Sequence, residues 1–265
     1  MIINDDYSEQ RDVFDKKFRH LTELIEKSRN MTVFTGAGVS TLSGIPDFRG
    51  QHGVYTDPWM GLDVEEIISM SFFGSKPDIF YKWAKDVWYR LDEYQPNVVH
   101  RVIAKLEKKG IIGGVYTQNI DMLHQKAGSK NVYEVHGSPQ FHYCTKCNET
   151  YTYKEIAPLV LKEELPKCKK CGGVIKPKIV FYEEALPSDI LSKAFKDFSK
   201  TDLCLVAGSS LTVQPAASFP QIARQTGAKV IIVNAQDTYQ DSSAEICFRD
   251  LKQTFEALDK WLGEI

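Results

Sequence analysis

With 265 residues, 43% of them hydrophobic and 11% aromatic, the chain can form one large domain with a smaller module and a sizeable core. Thirty-three basic residues against 35 acidic ones leave a formal charge of −2, which excludes long-range attraction to nucleic acid or an anionic membrane. Residues 1–17 are too charged for a secretion signal and no run of about 18 apolar residues offers a membrane span, so a cytoplasmic location is expected.

Phe14, Phe18, Leu21 and Ile25 recur at helical spacing and predict an amphipathic helix over 8–28. A short apolar strand, Met31–Phe34, then delivers the chain into Thr35-Gly-Ala-Gly38. Residues 40–94 are irregular, then helical and aromatic; Phe72, Phe73, Phe80, Tyr81, Trp83 and Trp88 read as the core of a small helical module. Pro96 opens the next helix, with Val99, Val102, Ile103 and Leu106 inward and Gly110 as its stop. Strands follow at 111–116 and 131–135, running out at Gln118-Asn-Ile-Asp121 and at His136-Gly137. After residue 178 the pattern resumes with strands 202–207 and 229–233, ending at Gly208-Ser-Ser210 and Asn234. A final helix carries Leu251, Phe255, Leu258 and Leu262 on one face. Strands alternating with helices, mostly β-branched, predict an α/β fold with a parallel doubly wound sheet.

The Cys-, Lys- and Tyr-rich stretch up to Lys178 reads as an insertion. Within it Cys144-x-x-Cys147 and Cys168-x-x-Cys171 present two thiolates each, and bringing the hooks together completes a tetrahedron around Zn²⁺. Gly172 and Gly173 supply a tight turn, and Lys146, Lys169 and Lys170 offset thiolate charge. Four sulfurs close the site, so the zinc is structural. Cys204 and Cys247 read as buried, inert thiols.

Gly36-Ala-Gly38, with its next glycine at Gly44, departs from the Gly-x-Gly-x-x-Gly fingerprint, and no acid closes an obvious second strand. The loop still lets backbone amides approach a pyrophosphate. Gly44-Ile-Pro-Asp-Phe-Arg49 adds a guanidinium suited to phosphate and an aromatic able to cover a reactive carbon. Gln118-Asn-Ile-Asp121 and His136 both fall just past strand C-termini, the edge where open parallel sheets bind ligands. There His136 is a candidate general base.

Taken together, Gly36–Ser40, Gly44–Arg49, Thr117–His124, His136-Gly137, the two cysteine pairs, Gly208–Leu211 and Val233-Asn234 resemble the sirtuin family, in order, over nearly the whole chain after residue 20. The resemblance implies a Rossmann-like NAD-binding domain (1–40, 95–138 and 179–265), a cofactor loop and helical module (41–94) and a zinc-ribbon module (139–178). It implies that Ala37, Thr41, Arg49, Ser209, Ser210 and Asn234 hold the ADP-ribose part of NAD. Gln118, Asn119, Ile120 and Asp121 would form the nicotinamide and ribose pocket, with Asp121 meeting the carboxamide and Phe48 shielding the ribose carbon. Asn119 and His136 would be catalytic, His136 as base on a ribose hydroxyl. The implied activity is NAD-dependent protein-lysine deacylation, releasing lysine, nicotinamide and O-acyl-ADP-ribose. Acyl-lysine peptides would add as a strand near Val180–Glu184 and Leu211–Val213.

Two departures bear on substrate choice. Glu183 stands where the family carries glycine, which restricts the docking edge or favours basic peptides. Family members that remove acidic acyl groups carry Tyr and, three residues on, Arg; here Tyr81 is followed by Ala84, which favours a neutral acyl group such as acetyl. Protein mono-ADP-ribosylation shares the NAD-cleaving half of the reaction. A catalytically silent NAD sensor with a zinc ribbon for partners is the non-enzyme reading, against which His136, Asn119 and Asp121 argue.

Overall fold

The computed structural model of the chain describes the backbone of residues 3–47, 53 and 57–264, and side chains from residue 11 onward. The described strands divide between two sheets. β1 (Met31–Thr35), β2 (Ile112–Thr117) and β3 (Val132–Glu134) build outward to one edge of the first. β4 (Gly137–Cys144), β5 (Thr150–Thr152) and β6 (Ile175–Ile179) form a separate antiparallel sheet. β7 (Leu203–Ala207), β8 (Lys229–Val233) and β9 (Ile246–Phe248) return to the first, giving the order β3-β2-β1-β7-β8-β9 with every pair parallel.

The predicted doubly wound sheet is present, and side-chain alternation explains its two layers. In β1, β7 and β8 the neighbours Val33/Phe34, Leu205/Val206 and Ile231/Ile232 point to opposite faces, as a period of two requires. Val33, Leu205 and Ile231 meet Leu21, Ile25, Val102, Leu106, Phe255 and Leu258 from the helices Ile3–Lys27, Val98–Lys108 and Leu251–Glu264. Phe34, Val206 and Ile232 meet Ala194, Phe198, Phe219 and Ala223 from Ser188–Phe198 and Phe219–Gln225. Each such side chain, taken fully out of water, contributes about 1.5–3 kcal/mol, so both faces are closed by burial.

Pro96 precedes rather than opens its helix. Asn97 is the cap: its side chain accepts from Val99 N, and its own amide donates to His100 Nδ1. The aromatic cluster is core, as expected, but the core is shared. Phe80 lies 5.1 Å from Phe73 and 5.6 Å from Trp88 within the helical segment, and 5.1 Å from Phe181 beyond β6. Tyr151, Ile156, Val160 and Ile175 of the cysteine-rich segment join the same cluster. The helical and cysteine-rich segments thus bury one apolar mass between them.

Candidate active site

From β1 the chain builds toward β2 and β3 on one side, while β7, β8 and β9 lie on the other. This is a topological switch point, where the loops leaving two adjacent strands diverge and leave a crevice. The loops in question follow Thr35 and Ala207.

Glycine is required there by chain-to-chain contact. Gly38 N donates to Gly208 O at 2.8 Å, and a Cβ on Gly36 would stand 2.7 Å from that same oxygen. Gly208 has φ +60°, and a Cβ on it would stand 2.3 Å from Val39 N. The glycines therefore let the β1 and β7 loops pack backbone on backbone and form one floor. Residues 37–43 leave that floor as a 3₁₀ helix ended by Gly44 at φ +88°, not as an α-helix.

The next wall comes from β2. Gln118 N donates to Thr35 O at 2.9 Å and extends the pairing one residue past the strand. Its side chain accepts from Ser209 Oγ at 2.8 Å, which ties this wall to the floor. Asp121 is buried; its carboxylate accepts from Ser40 Oγ at 2.6 Å and from Leu123 N at 2.8 Å. Asn119 Nδ2 donates to the same Ser40 hydroxyl at 3.0 Å. Burial pushes the Asp121 carboxyl above its usual range, while Ser40, the Leu123 amide and Asn119 pull against the rise. Ser40 joins two predicted site residues yet was not among them; its place in the Gly36–Ser40 run was the signal. His124 does not reach the site: it is buried against Thr35 and His100.

His136 is half-buried at the junction of β3 and β4. Its Nδ1 lies 3.1 Å from Gln118 O, and a carbonyl only accepts, so Nδ1 carries the proton. The other nitrogen, Nε2, keeps its lone pair. Burial lowers the imidazole pKa, and the Gln118 carbonyl opposes that only in part, so the neutral ring is favoured. Val180 N donates to His136 O at 2.8 Å, and Gly137 (φ +75°) packs where a Cβ would stand 2.3 Å from Lys178 O. Gln118 thus holds the ring and Val180 the backbone that carries it.

These walls enclose a cleft of about 770 Å³. Ala37, Thr41, Gln118, Asn119, Ile120, His136, Ser209, Ser210 and Asn234 all line it. Asp121 lines an adjoining chamber of about 160 Å³ that shares Ala37, Asn119 and Ile120 with the cleft. Phe48 and Arg49 lie outside the described residues. Leu251, read only as helix core, and Trp88, read as module core, also face the cleft. Val180–Glu184 and Val213 line it too, whereas Leu211 is fully buried. A cleft of this volume, with a glycine floor, amide and hydroxyl groups and apolar side chains in its lining, suits a dinucleotide together with a second ligand.

One expectation needs correction, and one gains a structural detail. Tyr81 faces away from the cleft: it is buried and its hydroxyl donates to Ile175 O, while Ala84 is in the core. The Tyr81/Ala84 spacing thus says nothing of the acyl group, and Val87, Trp88 and Leu91 of the same segment line the side chamber instead. Glu183 is exposed and keeps its charge, but its side chain is anchored. Its carboxylate accepts from Ser71 N at 2.9 Å and Ser71 Oγ at 2.8 Å. The residue sits at φ +75°, a conformation costing a non-glycine residue about 1–2 kcal/mol. Two charge-assisted bonds at about 1.5–3 kcal/mol each are enough to hold it there.

Away from the cleft, the four predicted cysteines converge. Their sulfurs all lie within 4.8 Å of one another, with Cys144–Cys171 at 3.4 Å and Cys147–Cys168 at 3.6 Å. Bonds of about 2.3 Å in a tetrahedron put sulfurs about 3.8 Å apart, so the cluster fits Zn²⁺ with no position left for substrate. Asn148 (φ +58°) and Gly172 (φ +72°) turn the two hooks. Tyr151 Oη donates to Cys168 Sγ at 3.2 Å. The two remaining cysteines differ: Cys204 is buried, Cys247 half-buried.

A sequence model described as Sir2 family matches residues 36–215. The chain belongs to the Sir2 family. This sirtuin is 41% identical to an NAD-dependent protein deacetylase of Thermotoga maritima over 230 residues, covering 87% of this chain and 92% of that one. It is 41% identical to NAD-dependent protein deacylase 2 of Archaeoglobus fulgidus over 252 residues, covering 95% and 97%. Among solved structures, Sir2Tm bound to a propionylated peptide superposes with a TM-score of 0.83 at 38% identity, over 94% of this chain and 98% of that one. A Sir2–p53 peptide–NAD⁺ structure gives 0.83 at 38% identity, over 93% and 98%. No described helix of this sirtuin is long and apolar enough to cross a membrane.

Proposed function

We propose that this NAD-dependent protein deacylase binds NAD along the glycine floor and the acyl-lysine of a peptide at the Val180–Glu184 end, with His136 as the base between them. The hydrogen bond from His136 Nδ1 to the Gln118 carbonyl carries this reading, because it leaves Nε2 as a neutral acceptor in the cleft wall. NAD supplies an electrophilic ribose carbon and nicotinamide as leaving group. Ala37, Thr41, Ser209, Ser210 and Asn234 hold its ADP-ribose part, and from the sequence Arg49 joins them. Gln118, Asn119, Ile120 and Asp121 form the nicotinamide and ribose pocket, Asn119 acting at the reacting end. Phe48, also assigned from the sequence, covers the ribose carbon from water. His136 takes the proton of a ribose hydroxyl.

The peptide docks as a strand between Val180–Glu184 and Leu211–Val213, a reading supported by the position of Val180–Glu184 and Val213 on the cleft wall. Ile120, Trp88, Ile179 and Phe181 are apolar members of the same lining, which favours a neutral acyl group over an acidic one because burying a carboxylate against apolar side chains is costly. Residues 1–40, 95–138 and 179–265 serve NAD binding, 41–94 the cofactor loop and helical module, and 139–178 the zinc ribbon.

The test is mass-spectrometric detection of deacylated peptide and O-acetyl-ADP-ribose from NAD and an acetyl-lysine peptide. Loss of a positioned base predicts a rate drop of about 100-fold or more in His136→Ala. Absence of both products with wild type, on acetyl and longer acyl peptides, sinks the deacylase reading. A His136→Ala rate within about tenfold of wild type removes the base role.

A further inference from the structure

The segment after β6 lines the cleft, and a wall that receives a peptide binds it best when its shape is set before the peptide arrives. Here that shape is fixed from the helical module. Tyr182 N donates to Ile68 O at 3.0 Å, and Met70 N donates to Tyr182 O at 3.2 Å, so Tyr182 is paired through its backbone on one side. One residue on, Glu183 turns its side chain the same way and takes both the amide and the hydroxyl of Ser71. These hydrogen bonds sew two consecutive residues of the cleft wall to Ile68, Met70 and Ser71, on a different part of the chain.

We infer that Glu183 and Ser71 form a clamp that presets the peptide-docking wall, making Ser71, which does not line the cleft, a positioning residue for peptide binding. The inference rests on the docking reading above. Glu183, at φ +75°, sits inside a turn closed by Glu184 N donating to Phe181 O at 3.1 Å. Glycine would take that conformation without help but would also sample others, whereas for glutamate it costs energy that the held carboxylate offsets. The glutamate thus exchanges a flexible hinge for a latched one. A wall already ordered in the free enzyme spares the peptide the entropy of ordering it, so the benefit appears in KM.

The experiment uses the full chain with NAD and an acetyl-lysine peptide, and compares wild type, Ser71→Asp and Ser71→Asp/Glu183→Gln. Ser71 is exposed, so an aspartate there is solvated and does not threaten the fold, but it sets a carboxylate against that of Glu183. Ser71→Asp is expected to raise peptide KM about tenfold with kcat within about threefold, and to speed amide exchange at 181–184. In the double variant the carboxamide introduced at position 183 donates to the carboxylate introduced at position 71, and KM returns to within about threefold of wild type. A merely structural defect at Ser71 would not be rescued by a change at residue 183. If exchange at 181–184 is the same in wild type and Ser71→Asp, the clamp is wrong and the docking reading stands. If Ser71→Asp speeds exchange but leaves peptide KM unmoved, the peptide docks elsewhere and inference and docking reading fall together. Failure of Glu183→Gln to restore KM also overturns the clamp.

Discussion

His136 Nδ1 sits 3.1 Å from the main-chain oxygen of Gln118, so one loop sets the tautomer of a ring carried by another. Because burial lowers the pKa of that ring below the ordinary 6.5, the free-enzyme kcat/KM is expected to rise with pH along an acid limb centred below 6.5. The sign follows from the role: a base works when unprotonated, and burial extends the unprotonated range downward. A pH–rate profile checks it. An acid limb centred at or above 6.5 would mean that another group titrates or that the ring is not buried in solution.

The contact between Gly208 and Val39 separates two kinds of glycine. Gly208→Ala places a Cβ 2.3 Å from a backbone nitrogen that has no freedom to move, at φ +60°. It is expected to cost about 2 kcal/mol or more and to weaken NAD binding strongly, since the loops that form the floor must part. Gly113→Ala in β2 meets nothing within 4 Å and is expected to stay within about 0.5 kcal/mol of wild type. Urea denaturation and NAD titration of the two variants decide the matter; equal effects would refute the floor argument.

Much of this was legible in the sequence, for a definable reason. β1, β2, β7 and β8 are apolar runs bounded by polar or glycine loops, and a local pattern suffices to place them. β9 was missed because Ile246–Phe248 is three residues long and interrupted by a cysteine. The helix Tyr153–Leu161 was missed because Tyr-Thr-Tyr reads as strand and Pro158 as a breaker. Thr152 with Glu155 three residues on is a capping box, and that signal was available. The surroundings of Tyr81 were not legible because its hydroxyl meets Ile175 O, 94 residues away in the cysteine-rich segment. The anchor of Glu183 was not legible because Ser71 is 112 residues away, and no local pattern announces such a bond.

The cysteine cluster stands inside the core that the helical and cysteine-rich segments share, with Cys144 and Cys168 buried in it. Metal loss there is therefore expected to loosen both segments. Wild type is expected to carry about one zinc per chain, and Cys144→Ala to carry none and to melt at least about 10 °C lower. Gly173→Ala is expected to weaken metal retention too, since a Cβ there would stand 2.8 Å from Cys144 Sγ. Elemental analysis and thermal melts check both. Full zinc in Cys144→Ala would rule out the four-sulfur site.

Lys176 is the least accessible charge described, with its side chain 1% exposed and Nζ 3.7 Å from the centre of the Phe181 ring. Its ammonium donates to Glu184 Oε2 and to Ile179 O, both at 2.8 Å, and Glu184 Oε2 also accepts from Phe181 N at 2.8 Å. Burial lowers the lysine pKa, and Glu184 is the group that holds the charge in place. The two partners are not equally dependent. Glu184→Ala leaves a buried cation among carbonyls and rings, and is expected to cost about 3–5 kcal/mol. Lys176→Met fills the space with an unbranched apolar chain, and Glu184, whose side chain is 25% exposed, turns to water, so about 1–2 kcal/mol is expected. The double variant Lys176→Met/Glu184→Ala no longer buries a charge, and is expected to lose less than the two single losses added together. A urea double-mutant cycle measures the coupling, and single losses that simply sum would show that the pair does not act as a unit.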